Sequence, residues 1–360
     1  MTKFASDFYK VVKLNTMKKK KGHIILWIMI IIGLAVVTGA GAGGYILFAP
    51  NFETTEEERY IYIHDNCSFD ELTDQLLEKG MKNARTFRLT ARVLKYDTQI
   101  KTGRYKINKG MSNARLIRKL RNGNQDPVRL TFNNIRTKEQ LAGRMSRQLM
   151  ADSLSILNLL NDTEFLSSHG LNKETAVSYF IPNTYEFFWD TDASELFLRM
   201  KREYEIFWNE DRKAKAAAIP LSQIEVFTLA SIIEEESNKS FEHPIIAGLY
   251  INRLKRGMPL QACPTVKFAL NDFTIQRILY KHLETQSPYN TYIYQGLPPG
   301  PIRMASIRCI DAVLNYEKHN YIFMTAKEDF SGEHNFAATG DEHARNARRY
   351  QQALNKRGIR

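Results

Sequence analysis

Cysteine is scarce: the 360 residues hold three, at Cys67, Cys263 and Cys309. Three thiols this far apart make neither a disulfide framework nor a tetrahedral zinc site. Also missing are a G-x-S-x-G elbow, a P-loop and, outside the apolar N-terminal run, a dinucleotide fingerprint. Serine-hydrolase, nucleotide-triphosphatase and nicotinamide chemistry therefore lack their phosphate cradles and nucleophile turns. No H-E-x-x-H pair occurs; His334 and His343 stand apart in a late polar segment with Asn335 and Asn346, and read as hydrogen-bonding residues rather than metal ligands. No metal site and no cofactor are expected.

Positive charge is plentiful, yet it is missing where a nucleic-acid binder needs it. The formal net charge is +12, and seven Lys against one Asp in residues 1–23 hold half of it. Binding to nucleic acid would want that charge on the folded body. It sits instead in a basic tail before a run, residues 24–49, that contains no charged side chain. At 1.5 Å per residue that run spans about 39 Å, more than the roughly 30 Å of a bilayer's hydrocarbon. Trp27 and Tyr45 lie near its ends, Lys18 to Lys21 precede it, and Glu53 and Glu56 to Glu58 follow it. A cleaved signal peptide would have a shorter apolar core. The positive-inside rule keeps the N-terminus in the cytoplasm and sends residues 50–360 across the lipid bilayer. Gly39 and Gly43 form a small-residue pair of the kind that lets two such helices touch.

Apolar residues make up 43% of the chain and aromatics 11%, enough for a sizeable core outside the membrane. The fold class read from the pattern is α+β. Residues 50–58 read as a polar linker. Arg59–His64 alternates as a strand, and Ser68 with Glu71 spells a capping box. A helix over Thr86–Leu94, a strand over Gly103–Ile107 and a helix after Ser112, ended by Gly123, complete a small α+β module within residues 50–126. In residues 127–360, Val128–Phe132 reads as a strand and Thr137 with Gln140 as a capping box. Residues 150–218 read as largely helical, interrupted at Gly170 and Pro182. Helices are expected over Gln223–Ser237, His243–Arg256 and Ala305–Tyr316. Pro259–Pro301 is turn-rich, Tyr321–Thr325 is a strand, and a Gly/His/Asn loop precedes a basic terminal helix.

The helix from Gln223 is greasy on every face between Val226 and Ile233, so it is buried. It ends in Glu234, Glu235 and Glu236, where negative charge opposes the helix dipole. Such a local conflict is expected at a functional site. Successive residues point about 100° apart, so the three cannot share one ion. Glu234 stands on the face of Phe227, Ala230 and Ser231, which suits partial burial, a raised pKa and a general-acid role. A solvated helix end is the plainer alternative. Two rigid stretches, Ser287–Tyr292 (SPYNTY) and Gly296–Ile302 (GLPPGPI), carry side chains suited either to stacking on sugars and hydrogen-bonding them or to packing as loops with core tyrosines.

These stretches, with Leu229–Ser237 (LASIIEEES), Ile251–Met258 (INRLKRGM) and Pro264–Val266 (PTV), stand in one order between Leu229 and Ile302. In that order the chain resembles the YceG-like (MltG) family of endolytic murein transglycosylases. The resemblance implies a single N-terminal transmembrane helix, a small LysM-like α+β module and a larger mixed α/β catalytic domain. It implies cutting of peptidoglycan glycan strands between N-acetylmuramic acid and N-acetylglucosamine to leave 1,6-anhydro ends, terminating nascent strands, with cell-wall synthases as partners. It places the catalytic acid, and then the base for the muramic 6-hydroxyl, at Glu234, and substrate contacts at Glu236, Asn290, Tyr292, Arg253 and Gln261. The catalytic domain is then extracytoplasmic on a single-pass membrane protein. A non-catalytic glycan-binding scaffold and a hydrolytic muramidase are the alternatives. The chain departs from the family pattern at Cys263, where an Asp is common, at Ser237 for Thr, and at Glu235 for Lys; the Pro182-Asn183-Thr184-Tyr185 stretch stands for a PDTY-like motif.

Overall fold

The computed structural model describes residues 2–53, 59–275 and 277–358, with side chains from residue 25 onward. The chain divides into two compact units, Met1–Asp126 and Pro127–Arg360.

In the first unit, α1 (Thr2–Phe48) runs unbroken, and its part Ile25–Phe48 has a mean hydropathy of 2.4. Its side chains there are largely exposed, as a lipid-facing helix requires. The last turn of a helix leaves carbonyls without partners. Here the Asn113 amide donates to the Ile46 carbonyl at 3.2 Å. Residues 50–53 are not the free linker the polar composition suggests. Asn51 N donates to Met111 O at 3.0 Å, Glu53 N donates to Gly80 O at 2.9 Å, and Phe52 is 1% exposed. The remainder of that stretch, 54–58, lies outside the described residues.

Strand β1 (Arg59–Ile63) pairs antiparallel with β2 (Gly103–Ile107), Arg59 opposite Ile107. Between them lie α2 (Phe69–Glu78) and α3 (Ala84–Val93), and α4 (Asn113–Asn122) follows. The Ser68–Glu71 box closes both ways at 3.2 and 2.8 Å. Helix α3 starts two residues before the expected Thr86 because the Asn83 side chain accepts from Arg85 N and Thr86 N. Gly123 ends α4 at φ +71°, a left-handed cap that glycine adopts without strain. Ile61, Ile63, Leu72, Leu76, Phe87, Tyr105 and Leu116 fill the core.

The second unit begins with β3 (Val128–Thr131) and α5 (Lys138–Ser146). The Thr137 cap accepts from Gln140 N, but the Gln140 side chain turns to Arg136 N at 2.9 Å instead of closing the box. Then come α6 (Ser153–Leu159), α7 (Thr163–Ser168), a 3-10 turn over Ala176–Tyr179 and β4 (Thr184–Phe187). Strand β4 stands in a stretch that reads as helical; four residues are too few to show a period, and long-range pairing of Val128 with Phe187 defines it. Helices α8 (Ala193–Phe207) and α9 (Glu210–Ala218) lead to α10 (Gln223–Glu236) and α11 (His243–Lys255). Short helices α12 (Cys263–Ala269) and α13 (Tyr280–Leu283) interrupt the turn-rich segment, and α14 (Ile307–Leu314) follows. Strand β5 (Phe323–Ala326) pairs antiparallel with β6 (His334–Ala337), which occupies the expected Gly/His/Asn loop, and α15 (Gly340–Lys356) packs on this pair.

The core of this unit surrounds α10. Its eight residues Val226 to Ile233 are all buried, and α11, α12 and α14 pack on it. The Ser222–Glu225 box starts it, with bonds of 3.2 and 2.7 Å. Ser231 Oγ, fully buried, donates to Thr228 O and accepts from Ile302 N at 3.0 Å. That bond pins the Gly296–Ile302 loop to the helix.

Candidate active site

The three carboxylates at the end of α10 point into three environments. Glu234 Oε2 accepts from Ser306 N at 2.6 Å, at the cap of α14. It is therefore spent on the start of a helix, where negative charge is favoured. Glu235 takes a bidentate Arg136, at 3.0 and 3.1 Å, and Arg303 Nη1 at 2.5 Å. Its charge is neutralised twice. Glu236 alone lines a cavity of about 410 Å³, with Tyr250, Arg253, Gln261, Cys263, Tyr292 and His334 among the other walls. That volume falls within the ordinary range for a small-ligand site.

Glu236 Oε1 accepts from the Tyr250 hydroxyl at 2.7 Å. Burial raises its carboxyl pKa, and the Tyr250 hydrogen bond opposes that rise only in part. The Tyr250 phenol is in turn pushed well above its usual value, first by burial and then by the neighbouring carboxylate, so it stays a donor. Among the described residues lining the cavity, Glu236 is the sole carboxylate.

The other walls are held by the backbone. Arg253 is 5% exposed; its Nε donates to Ile322 O at 2.7 Å, and its Nη1 donates to Pro259 O, Leu260 O and Gln261 Oε1 at 2.9 to 3.0 Å. Gln261 sits at φ +52°, a conformation a non-glycine residue keeps only when its surroundings enforce it. Gln261 N bonds Thr291 O at 3.0 Å and Ala262 N bonds Thr291 Oγ1 at 3.0 Å. These two bonds weld the 287–292 loop to the start of α12, bringing Tyr292 Oη within 3.2 Å of Cys263 Sγ. Burial raises the thiol's pKa, so Cys263 is a neutral hydrogen-bonding group here.

Of the residues singled out in the sequence, Glu236, Arg253, Gln261 and Tyr292 share this cavity, whereas Glu234 and Asn290 do not line it. Asn290 is wholly buried; its amide donates to Leu283 O at 2.8 Å and Thr285 O at 2.9 Å, and its Oδ1 accepts from Tyr292 N at 3.0 Å. It shapes the loop that presents Tyr292. Tyr250 and His334 belong to the site and are missed as site residues in the sequence. Tyr250 stands on a helix that is apolar nearly all round, and only its meeting with Glu236 reveals it.

A buried-end carboxyl in a pocket with tyrosines and a fixed guanidinium is an arrangement suited to acid-catalysed chemistry on glycans. The YceG-like family model matches residues 61–349, and the chain belongs to that family. It is 31% identical over 278 residues to the endolytic murein transglycosylase of Bacillus subtilis strain 168, covering 71% of this chain and 74% of the relative. It is 24% identical over 360 residues to the endolytic murein transglycosylase of Streptococcus pneumoniae strain R6, covering 89% of this chain and 64% of that longer protein. The crystal structure of a yceG-like protein from Listeria monocytogenes matches with a TM-score of 0.55 and 28% identity, over 80% of this chain and 98% of that one.

Proposed function

We propose that the chain is an endolytic murein transglycosylase, anchored in the membrane by α1, with Glu236 as its acid. The carrying observation is that Glu236 is the one carboxyl of the α10 end left uncompensated in a cavity, with burial favouring its protonated form. The acid role that resemblance assigns to Glu234 moves two residues on, because Glu234 is taken up by Ser306 N.

The chemistry follows from one acid. Glu236 protonates the glycosidic oxygen as the bond to muramic C1 breaks, the sugar's own 6-hydroxyl attacks C1, and in the one-acid scheme the carboxylate so formed takes the hydroxyl's proton. No water is consumed and a 1,6-anhydro end results. A two-carboxylate glycosidase needs a second acid flanking the bond. In this reading the substrate's own 6-hydroxyl takes the place of a nucleophile, and no second carboxylate is required. Arg253, Gln261 and Tyr292 are the saccharide contacts in this reading, with Asn290 as a positioning residue. The β1–α2–α3–β2 order of the first unit supports a LysM-like module. The basic residues before the apolar segment favour a cytoplasmic N-terminus and an extracytoplasmic body. Cuts of this kind terminate strands, which makes cell-wall synthases the expected partners.

Full-length protein in detergent, given uncrosslinked glycan strands, should release anhydro-ended fragments by mass spectrometry. Products heavier by one water mean a muramidase. Binding without release from wild-type protein means a scaffold.

A further inference from the structure

His334 shares the cavity with Glu236 but has no part in a one-acid reaction, and it is held with unusual care. It opens β6, opposite Ala326 of β5. Behind it lies Glu242, which is 2% exposed. One Glu242 oxygen accepts from His334 N at 2.7 Å, and the other contacts His334 Nδ1 at 3.0 Å. The second oxygen also accepts from Ser237 Oγ at 2.7 Å. Ser237 directly follows Glu236, and its own carbonyl meets His243 Nε2 at 2.8 Å. The residue after the acid thus anchors the carboxylate that orients the imidazole.

Burial works against an ionised Glu242, but the hydrogen bonds from the His334 ring, Ser237 and the His334 backbone outweigh it and hold the carboxyl below its usual range. An ionised carboxylate only accepts, so Nδ1 carries the hydrogen. The neutral ring then has its lone pair on Nε2, which has no hydrogen-bond partner among the described residues. This is the orientation by which a carboxylate makes an imidazole a base.

We propose that His334, oriented by Glu242, is a second catalytic residue of this site and accepts the proton of the attacking 6-hydroxyl through Nε2. The inference rests on the transglycosylase reading. The C1–O4 bond breaks and the Glu236 proton goes to the leaving oxygen. The C1–O6 bond forms and the O6 proton goes to His334. Glutamate and imidazolium remain, and proton transfer from imidazolium to glutamate through water restores both. The charged and titratable groups that share the cavity with the ring are Glu236 of α10, Tyr250 and Arg253 of α11, Cys263 of α12, Tyr292 of the 287–292 loop and His343 of α15; Glu242 lies just before α11 and the Lys327–Glu333 ion pair in the β5–β6 turn.

The test is the pH profile of kcat for anhydro-end formation by full-length protein in detergent. Wild-type activity should fall at low pH, where the imidazole is protonated, and at high pH, where Glu236 is ionised. His334→Gln should lose about 10²–10⁴-fold in kcat with KM nearly unchanged, and lose the acid limb. Glu242→Gln should lower kcat with KM nearly unchanged, since the amide no longer fixes the ring tautomer that leaves Nε2 as the acceptor. A His334→Gln enzyme with near-wild-type kcat and an intact acid limb overturns the proposal. Should that variant fail to fold, a Glu242→Gln enzyme with wild-type kcat overturns it instead. Reducing-ended products from wild-type protein would defeat the transglycosylase reading itself, and this proton transfer with it. Anhydro products with either of those variant outcomes defeat the His334 role alone.

Discussion

Glu235 and Glu236 are sequence neighbours at the end of one helix, and their surroundings are opposite. Glu235 faces two guanidiniums, with Arg303 only 9% exposed at its side chain, so its charge is fully answered. Glu236 faces a cavity with one phenol as its donor. The difference teaches where to look for chemistry in a row of acids. A carboxylate held by two guanidiniums is tied up in its ion pairs. For one in a cavity, burial favours the protonated form, and the Tyr250 hydrogen bond opposes it only in part.

The sharpest way to break this contrast is Glu236→Gln. The amide keeps the shape and can still accept from Tyr250, but it has no proton to give. Anhydro-end formation should fall by at least the roughly 10²–10⁴-fold typical of acid–base help. The sign for stability runs the other way. A carboxyl whose folded pKa is raised binds its proton more tightly when folded, so it costs stability above that pKa and the cost disappears as pH falls. The Gln variant should therefore melt higher than wild type at neutral pH, with the gap closing in acid. Loss of activity with a lower Tm at neutral pH would mean that Glu236 is structural.

Glu235→Gln should do the converse. It leaves Arg136 and Arg303 partly buried beside a neutral amide, and hydrogen bonds to charged groups contribute roughly 1.5–3 kcal/mol each. The Tm should drop by several degrees while kcat of the folded protein stays close to wild type. An activity loss as large as that of Glu236→Gln, without a change in Tm, would place the reacting group on the wrong neighbour.

Glu234→Gln is the milder test and discriminates between the resemblance and the geometry. Gln can still accept from Ser306 N, so only the charge at the cap of α14 is lost, about 0.3–1 kcal/mol. Activity should persist. A dead Glu234→Gln beside an active Glu236→Gln would return the acid to Glu234.

Why the helix pattern points to Glu234 is instructive. Spacing from Phe227, Ala230 and Ser231 selects the face that is buried, but on α10 every residue from Val226 to Ile233 is buried, so that criterion selects nothing. In the proposed reading the choice among the three carboxylates rests on what packs against the helix end. Those partners are Ser306, 72 residues beyond Glu234, Arg303, 68 residues beyond Glu235, and a cavity closed by α12, the 287–292 loop and the β5–β6 pair. No helical period carries that information. Local signals read well: both strands of the first unit, the Ser68 and Ser222 caps and the Gly123 stop all stand where turn and cap chemistry puts them. Strands β4 and β6, four residues each, exist through pairing with other segments, and with β6 goes His334.

The smallest effect concerns Cys263, which stands where the family commonly has an aspartate. Its thiol is neutral, bonds the Tyr292 hydroxyl and lies in the same cavity as Glu236. Cys263→Asp places a second carboxylate beside the first. Like charges in one site resist joint ionisation, so Glu236 should hold its proton to higher pH, by about one pH unit or more. The alkaline limb of the kcat profile should move up accordingly, with the anhydro product unchanged. The same substitution serves as a control on the Glu235 side of the helix. Because Arg136 and Arg303 hold that carboxylate and it does not line the cavity of Cys263, its contribution to Tm should be the same with Cys263→Asp in place as in wild type. A shift of the alkaline limb with an additive Glu235→Gln penalty would show that the two neighbouring acids answer to separate fields. A non-additive penalty would mean that the charge introduced by Cys263→Asp reaches both, and that the contrast between them is smaller than their partners suggest.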